Sequence, residues 1–112
     1  MAYGFNDDKS KFNLSGLIAR GSTSNNIGIT VAAGQLFPVN RKISVALDKI
    51  IAIDAYLAAI DNPDPSNVYI ASCRVYEGED STMISAQVMN KSSASVNIAT
   101  GKIIMRYSYL TI

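Results

Sequence analysis

Apolar and polar residues alternate along much of the chain after residue 26. Residues 27–32, 42–47 and 83–90 each place an apolar side chain at every second position. Successive side chains of a strand point to opposite faces, so this period of two predicts half-buried β-strands. Further strands are expected where Ile, Val and Tyr are concentrated, at residues 36–39, 68–76, 94–99 and 102–112. The pattern therefore predicts an all-β chain.

Turn-forming residues separate the predicted strands at intervals of roughly 8–12 residues. The segments 77–80, 90–93 and 100–101 contain Gly, Asn or Asp, and we interpret all three as hairpin turns, with Gly78 supplying a positive φ. Short strands joined by frequent turns are typical of an antiparallel β-sandwich. We expect such a sandwich, jelly-roll-like in form, over residues 27–112.

Residues 1–26 differ in composition from the rest of the chain. They begin with a run of mixed charge and end in a cluster of loop-forming residues at 21–26, with only a weak apolar patch between. We expect an N-terminal extended arm that ends in a loop and precedes the sandwich. A frayed terminus is the alternative interpretation of the same composition.

The segment 48–61 fits two structures. Asp48 would be a suitable N-cap for a helix, and apolar residues follow it at helical spacing. However, residues 50–53 are rich in β-branched Ile, and the same run fits a continuous buried strand. We favour the strand because its neighbours are predicted strands. Residues 61–67 contain two prolines and are expected to form a loop.

The composition argues against catalysis. The 112 residues include no His and one Cys. The missing His removes the commonest general base and metal ligand, and a single Cys forms neither an internal disulfide nor a zinc site. Cys73 has no His to activate it, so we interpret it as a small buried apolar residue. We predict no enzymatic activity, no catalytic residue, no cofactor and no metal.

Charge and hydropathy argue against nucleic acid and membranes as partners. The net charge of +1 gives no global attraction to nucleic acid or to an anionic membrane. The start of the chain is polar, and no run approaches the roughly 20 apolar residues of a membrane span. We therefore expect no nucleic-acid partner, no membrane insertion, no signal peptide, and synthesis in a bacterial cytoplasm.

Carboxylates are the remaining candidates for acid–base chemistry. Asp54, Asp61 and Asp64 are close in sequence, but the last two lie in the proline-containing loop, where we expect them to be solvated. That loop also lacks the alternating acidic rhythm of a calcium-binding loop. An enzyme that uses carboxylates alone is therefore the weakest functional hypothesis.

Tyrosine is the residue type most indicative of surface contacts, with six Tyr against three Phe. Its flat ring and polar tip suit protein interfaces and sugar stacking, although strand tyrosines also line sheet edges for structural reasons. Loop Asn and Asp side chains are typical sugar contacts. Our candidate contact residues are Tyr69, Tyr76, Tyr107, Tyr109, Asp61, Asn62 and Asp64. They make a carbohydrate-binding module the alternative function.

The predicted strands carry apolar side chains on both faces. In the last strand, Met105 and Tyr107 share one face, while Ile104 and Leu110 lie on the other. A small monomeric sandwich buries only one face of each sheet. We therefore expect a second subunit to cover part of the surface, which predicts a homo-oligomer.

The segment Met1–Lys11, MAYGFNDDKSK, resembles the start of small structural proteins encoded by phages and prophages of gut Firmicutes. The later part resembles the β-rich terminal domains of phage tail and receptor-binding proteins. That second likeness rests on a strand beginning at Tyr69-Ile70, a turn at 90–93, Val96-Asn-Ile98, and a final strand with Tyr107, Tyr109 and Leu110.

The resemblance implies a virion or tail component that forms a β-sandwich, often as a trimer. It implies assembly with other virion proteins, or adhesion to a host surface such as a cell-surface glycan, without catalysis. The sequence lacks the long linker or collagen-like stalk that usually precedes such a domain. A free-standing capsid-decorating or tail-associated protein is therefore also compatible with the resemblance.

Overall fold

The structure, a computed structural model, describes residues 16–58 and 64–112. Strands make up 61% of these residues, no α-helix occurs among them, and every strand pair is antiparallel, so the all-β prediction is confirmed. The strands are β1 (Ile18–Ser24), β2 (Ile29–Val31), β3 (Leu36–Ile43), β4 (Ile50–Leu57), β5 (Val68–Glu77), β6 (Thr82–Asn90), β7 (Val96–Ile98) and β8 (Ile103–Leu110).

The strands form two three-stranded sheets and a short ribbon. Sheet I has the order β1-β8-β4, and sheet II has the order β3-β6-β5. The ribbon consists of β2 and β7. β4 and β5 lie side by side, but no hydrogen-bond ladder joins them.

Three of the ladders are nested in sequence. Ile18 of β1 lies opposite Leu110 of β8, Ile29 of β2 opposite Ile98 of β7, and Ile43 of β3 opposite Thr82 of β6. Residues 18–43 therefore run antiparallel to residues 82–110 over nearly their whole length. β4 and β5 extend the two sheets on the other side of β8 and β6.

The hydrophobic core draws on both sheets and on the ribbon. Ile84, Ala86 and Val88 of β6 alternate with more polar residues and are fully buried, as their period of two predicts. Ile103 and Met105 of β8 are equally buried and belong to the same cluster. One cluster of buried residues therefore has members in both sheets and in the ribbon.

Two buried asparagines form hydrogen bonds at the two ends of the β2-β7 ribbon, where one ladder ends and the next begins. The Asn25 amide donates to the carbonyls of Ile27 (2.6 Å) and Ala99 (3.4 Å). The Asn25 side-chain oxygen accepts the Ile103 N–H at 3.0 Å. Asn25 thus connects the segment between β1 and β2 with the segment between β7 and β8.

Asn90 performs the same task at the other end of the ribbon. Its amide donates to the carbonyls of Val31 and Ala94, both at 2.9 Å. Its oxygen accepts the N–H (2.9 Å) and the hydroxyl (2.6 Å) of Ser92. All four hydrogen-bonding positions of this fully buried amide are occupied, so the polar group is accommodated in the core.

The expected N-terminal arm falls partly outside the described residues, which begin at residue 16. Residues 18–24 are extended, as predicted, but they form β1 and pair with β8. The prediction of a loop at residues 21–24 is therefore wrong. Gly21 leaves space there for the ring of Tyr107, which packs across β1; a Cβ at this position would lie 2.4 Å from the ring, so the ring would have to move.

Two strand predictions in the middle of the chain have different outcomes. Segment 42–47 is not a separate strand, because β3 runs on to Ile43 and the chain then leaves sheet II through a 3-10 turn at Leu47–Lys49. The choice of a strand for segment 48–61 is confirmed over residues 50–57, which form β4, while residues 48 and 49 belong to the 3-10 turn and residues 59–61 lie outside the described part of the chain. β4 alternates between half-buried and exposed positions, however, so the expectation of a continuous buried strand is wrong.

The three predicted hairpin turns also differ. Segment 77–80 does join the paired strands β5 and β6, and the Gly78 N–H donates to the Ser81 carbonyl at 2.8 Å. Gly78 does not have the predicted positive φ; a Cβ there would lie 2.7 Å from the Ser81 carbonyl oxygen. Segments 90–93 and 100–101 are turns but not hairpins, because the strands on either side of each turn do not pair with each other. β7 pairs with β2, and β8 pairs with β1 and β4.

Candidate functional site

The outer face of sheet II carries two of the predicted contact residues. We call it the tyrosine face and define it by alternate residues of β3, β6 and β5. Tyr69 lies opposite Met89, and Tyr76 lies opposite Met83. The face consists of Leu36, Pro38, Asn40, Lys42, Met83, Ser85, Gln87, Met89, Tyr69, Ser72, Arg74 and Tyr76.

A β-bulge brings the two tyrosines to this one face. Their separation of seven residues would put them on opposite faces of a regular strand. The register shifts between Ile70 and Ser72, so β5 contains one extra residue there. This extra residue places Tyr69 and Tyr76 on the same face of the sheet. The two rings are separated by six ladder positions, which corresponds to about 20 Å along the strand.

Cationic side chains accompany both rings. The Arg74 guanidinium carbon lies 4.7 Å from the centroid of the Tyr76 ring, and the Lys91 ammonium lies 5.7 Å from that of Tyr69. Both tyrosines are half-buried while Arg74 is exposed. The face therefore presents aromatic and thioether surface whose neighbouring charges are already positioned by cation–π contacts.

Tyr107 and Tyr109 do not join the tyrosine face. They lie on the core side of sheet I, where their ring centroids are 5.9 Å apart and the rings are tilted by 31°. Tyr107 packs against the core and across Gly21. Their position gives them a packing role in the structure.

The predicted loop residues have separate outcomes. Asp61 and Asn62 lie outside the described residues. Asp64 is described, and its carboxylate accepts the Ser66 N–H at 3.0 Å in a turn that leads into β5. This hydrogen bond lowers the pKa of Asp64, which therefore stays ionised and shapes the turn.

A shallow cavity of about 630 Å³ lies on sheet I, where charged and hydroxyl side chains line it together with Gly21, Ala52, Ile53 and Tyr107. It follows two rows of facing residues. Arg20, Ser108 and Ala52 form one row, and Ser22, Arg106 and Asp54 form the other. We call this cavity the polar trough. Its depth follows from the small side chains at its floor, namely the two serines and Ala52, beside the long arginines.

One wall of the trough carries a solvent-exposed ion pair. Arg106 Nε donates to Asp54 Oδ1 at 2.9 Å, and a second nitrogen of the same guanidinium contacts Asp54 Oδ2. The Arg106 guanidinium carbon also lies 4.8 Å from the centroid of the Tyr56 ring. The hydrogen bond from Arg106 is the main cause that lowers the pKa of Asp54, and the same bond raises the pKa of Arg106.

No local pattern in the sequence predicts the trough. Arg106 lies on the strand face opposite Tyr107, as the alternation along β8 requires, but its partners come from strands that are about 50 and 80 residues away in sequence. The alternation of Arg and Ser on β1 and β8 is the signal that was present. It becomes informative only when the register of the β1-β8-β4 sheet is known.

Cys73 is half-buried and packs against the core, so it is less enclosed than the sequence indicated. Burial is the main cause that raises the pKa of its thiol, and the charge of Asp54 adds to the effect. A raised pKa keeps the group in its unreactive thiol form at neutral pH. The position therefore suits packing.

Further observations on the described residues concern metals, membranes and known proteins. Within residues 16–58 and 64–112, no three His, Cys, Asp or Glu side chains come together as a metal site. The same part of the chain contains no helix with the length and apolar character needed to cross a membrane.

Comparisons of the chain with protein-family models, curated proteins and solved structures found no match.

Proposed function

We propose that this chain is a non-enzymatic structural module that works by contact, assembling with copies of itself through the tyrosine face and adhering to a surface. The setting we propose is a phage-derived virion or tail, which rests on the sequence resemblance. Protein interfaces are enriched in Tyr, Met and Arg and depleted in acidic residues. The tyrosine face has this composition, and that observation carries the proposal.

The proposed partner on the tyrosine face is a second copy of the chain. The face presents two apolar patches, one at Leu36, Met89 and Tyr69 and one at Met83 and Tyr76, and the polar Ser85 and Gln87 lie between them. The net charge of +1 means that copies do not repel each other strongly. Following the resemblance, the assembly we favour is a trimer.

We further propose that sheets I and II pack face to face as a jelly-roll-like sandwich. The link from Ile43 in sheet II to Ile50 in sheet I has seven residue steps and reaches about 25 Å at most. Along the partner strand, the matching positions Thr82 and Tyr109 are 27 residues apart. This difference in length favours a nested ladder that folds back on itself, and the core cluster that draws on both sheets supports the proposal.

The experiment is light scattering after gel filtration on the full chain and on two matched variants. Tyr76→Ala removes an aromatic side chain from the tyrosine face, and Tyr56→Ala makes the same change on sheet I. We expect Tyr76→Ala to weaken self-association at least about tenfold, since buried interface aromatics dominate binding. Tyr56→Ala should leave it nearly unchanged. Equal effects of the two changes, or a monomeric parent protein, would contradict the proposal.

A further inference from the structure

The geometry points to the polar trough of sheet I as a binding site for an acidic saccharide, a sugar that carries a carboxylate. This inference rests on the proposed adhesive function and supplies its ligand class. The trough lies on sheet I, whereas the tyrosine face lies on sheet II. Assembly through the tyrosine face therefore leaves the trough available.

The charges of the trough favour an anionic ligand. Its long polar side chains are Arg20, Arg106 and Asp54, which together leave one positive charge in excess. Arg20 lies opposite Ser108, diagonally across the ladder from Arg106, so its side chain borders the same cavity. A guanidinium binds a carboxylate through two parallel hydrogen bonds, which matches the acidic group of the sugar.

The adjacent carboxylate of Asp54 and guanidinium of Arg106 suit the hydroxyls of a sugar. Each sugar hydroxyl both donates and accepts a hydrogen bond, so it needs an acceptor and a donor close together. Asp54 provides carboxylate oxygens directly beside the guanidinium of Arg106, which has five N–H donors, of which Asp54 takes two. Two bonds to Asp54 and the contact with Tyr56 hold this donor–acceptor pair in place before a ligand arrives.

The floor and size of the trough are compatible with one or two sugar rings. Ser22 and Ser108 add hydroxyls that can donate or accept, and Ala52 leaves room for a ring above it. The volume of about 630 Å³ falls within the roughly 300–1,000 Å³ of small-ligand sites.

The test is a titration of the full ¹⁵N-labelled chain, followed by amide chemical shifts. The probes are methyl β-glucuronide, methyl β-glucoside, which differs only by having a CH₂OH in place of the carboxylate, and acetate as the bare carboxylate. We expect saturable shifts at amides of β1, β8 and β4 with the glucuronide, and at least about tenfold weaker binding of both the glucoside and acetate. Added salt should weaken the binding of the glucuronide.

Variants locate the site. Arg20→Gln removes the proposed carboxylate partner, and Ser108→Leu fills the floor, so each should reduce glucuronide affinity about tenfold or more. Lys102→Gln removes a positive charge that lies in neither the trough nor the tyrosine face and is the matched control, which should bind as the parent chain does. The amide spectrum of each variant reports on whether it is folded.

Three results would overturn the inference: no saturable shift with the glucuronide, equal binding of the glucoside or of acetate, or shifts confined to sheet II. Self-association measured on the same samples separates this inference from the proposed function. An oligomer that shows no saturable shifts with the glucuronide contradicts the saccharide site alone. A monomer that binds the glucuronide contradicts the assembly proposal alone.

Discussion

Asn90 joins three segments of the chain, and its replacement by Ala should destabilise the fold more than most polar substitutions. Its amide is the donor to the buried Val31 carbonyl, and leaving that carbonyl unpaired costs about 1–3 kcal/mol. The other three hydrogen bonds involve Ala94 and Ser92, which water can reach, and their loss costs about 0.5 kcal/mol each. The expected loss in the free energy of unfolding is therefore about 3 kcal/mol.

Urea unfolding at a fixed protein concentration measures this loss. With a slope of about 1–3 kcal/mol per molar urea, the midpoint of Asn90→Ala should fall by about 1–3 M. Asn97→Ala is the matched control. Asn97 is exposed and accepts one hydrogen bond from Thr30, at 2.5 Å, so its removal should change the free energy of unfolding by less than about 0.5 kcal/mol.

Asn90→Asp separates the loss of donors from the loss of volume. The introduced carboxyl has the shape of the amide but, once ionised, cannot donate to the carbonyls of Val31 and Ala94. Burial raises its folded-state pKa above the unfolded value of about 3.9. The variant should therefore be most stable below about pH 4 and lose stability as the pH rises through the folded-state pKa. Stability equal to that of the parent chain at neutral pH would refute the reasoning, as would equal losses in Asn90→Ala and Asn97→Ala.

Three further predictions concern sheet I and its neighbour. Gly21→Ala should lower the free energy of unfolding by about 1–3 kcal/mol, because the new methyl group meets the Tyr107 ring; Gly21→Ala combined with Tyr107→Ala should lose less than the sum of the single changes in urea unfolding. The carboxyl of Asp54, followed by NMR, should titrate below its ordinary range, and Arg106→Gln should return it to about 3.9; an unchanged titration in that variant would contradict the ion pair. The Cys73 thiol should react with iodoacetamide more slowly than free cysteine at mildly alkaline pH, and Asp54→Asn should speed the reaction; a reaction as fast as that of free cysteine would contradict the burial of the thiol.

Local patterns in the sequence were sufficient for the class of structure and for part of the core. The buried residues Ile84, Ala86 and Val88 follow directly from alternation, because the period of a strand depends only on adjacent residues. The β-branched run at residues 50–53 likewise favoured the strand that is found as β4. These properties need no knowledge of which strands are neighbours.

The candidate sites depend on pairings that local patterns do not contain. Gly21 was assigned to a loop because glycine favours turns, yet Tyr107, far along the chain, occupies the space above it in a strand. Tyr69 and Tyr76 share a face only because of a bulge, and a bulge has no strong local signal. The polar trough requires the register of three strands that are distant in sequence.

Sedimentation equilibrium of the full chain tests the central claim most directly, since the proposed function depends on assembly. Run over the widest soluble concentration range, it gives the mass of the particle independently of its shape. Assembly through the tyrosine face predicts a mass that rises with concentration toward that of three 12.0 kDa chains, and that shifts back toward the monomer in Tyr76→Ala. A mass of 12.0 kDa at every concentration would contradict it.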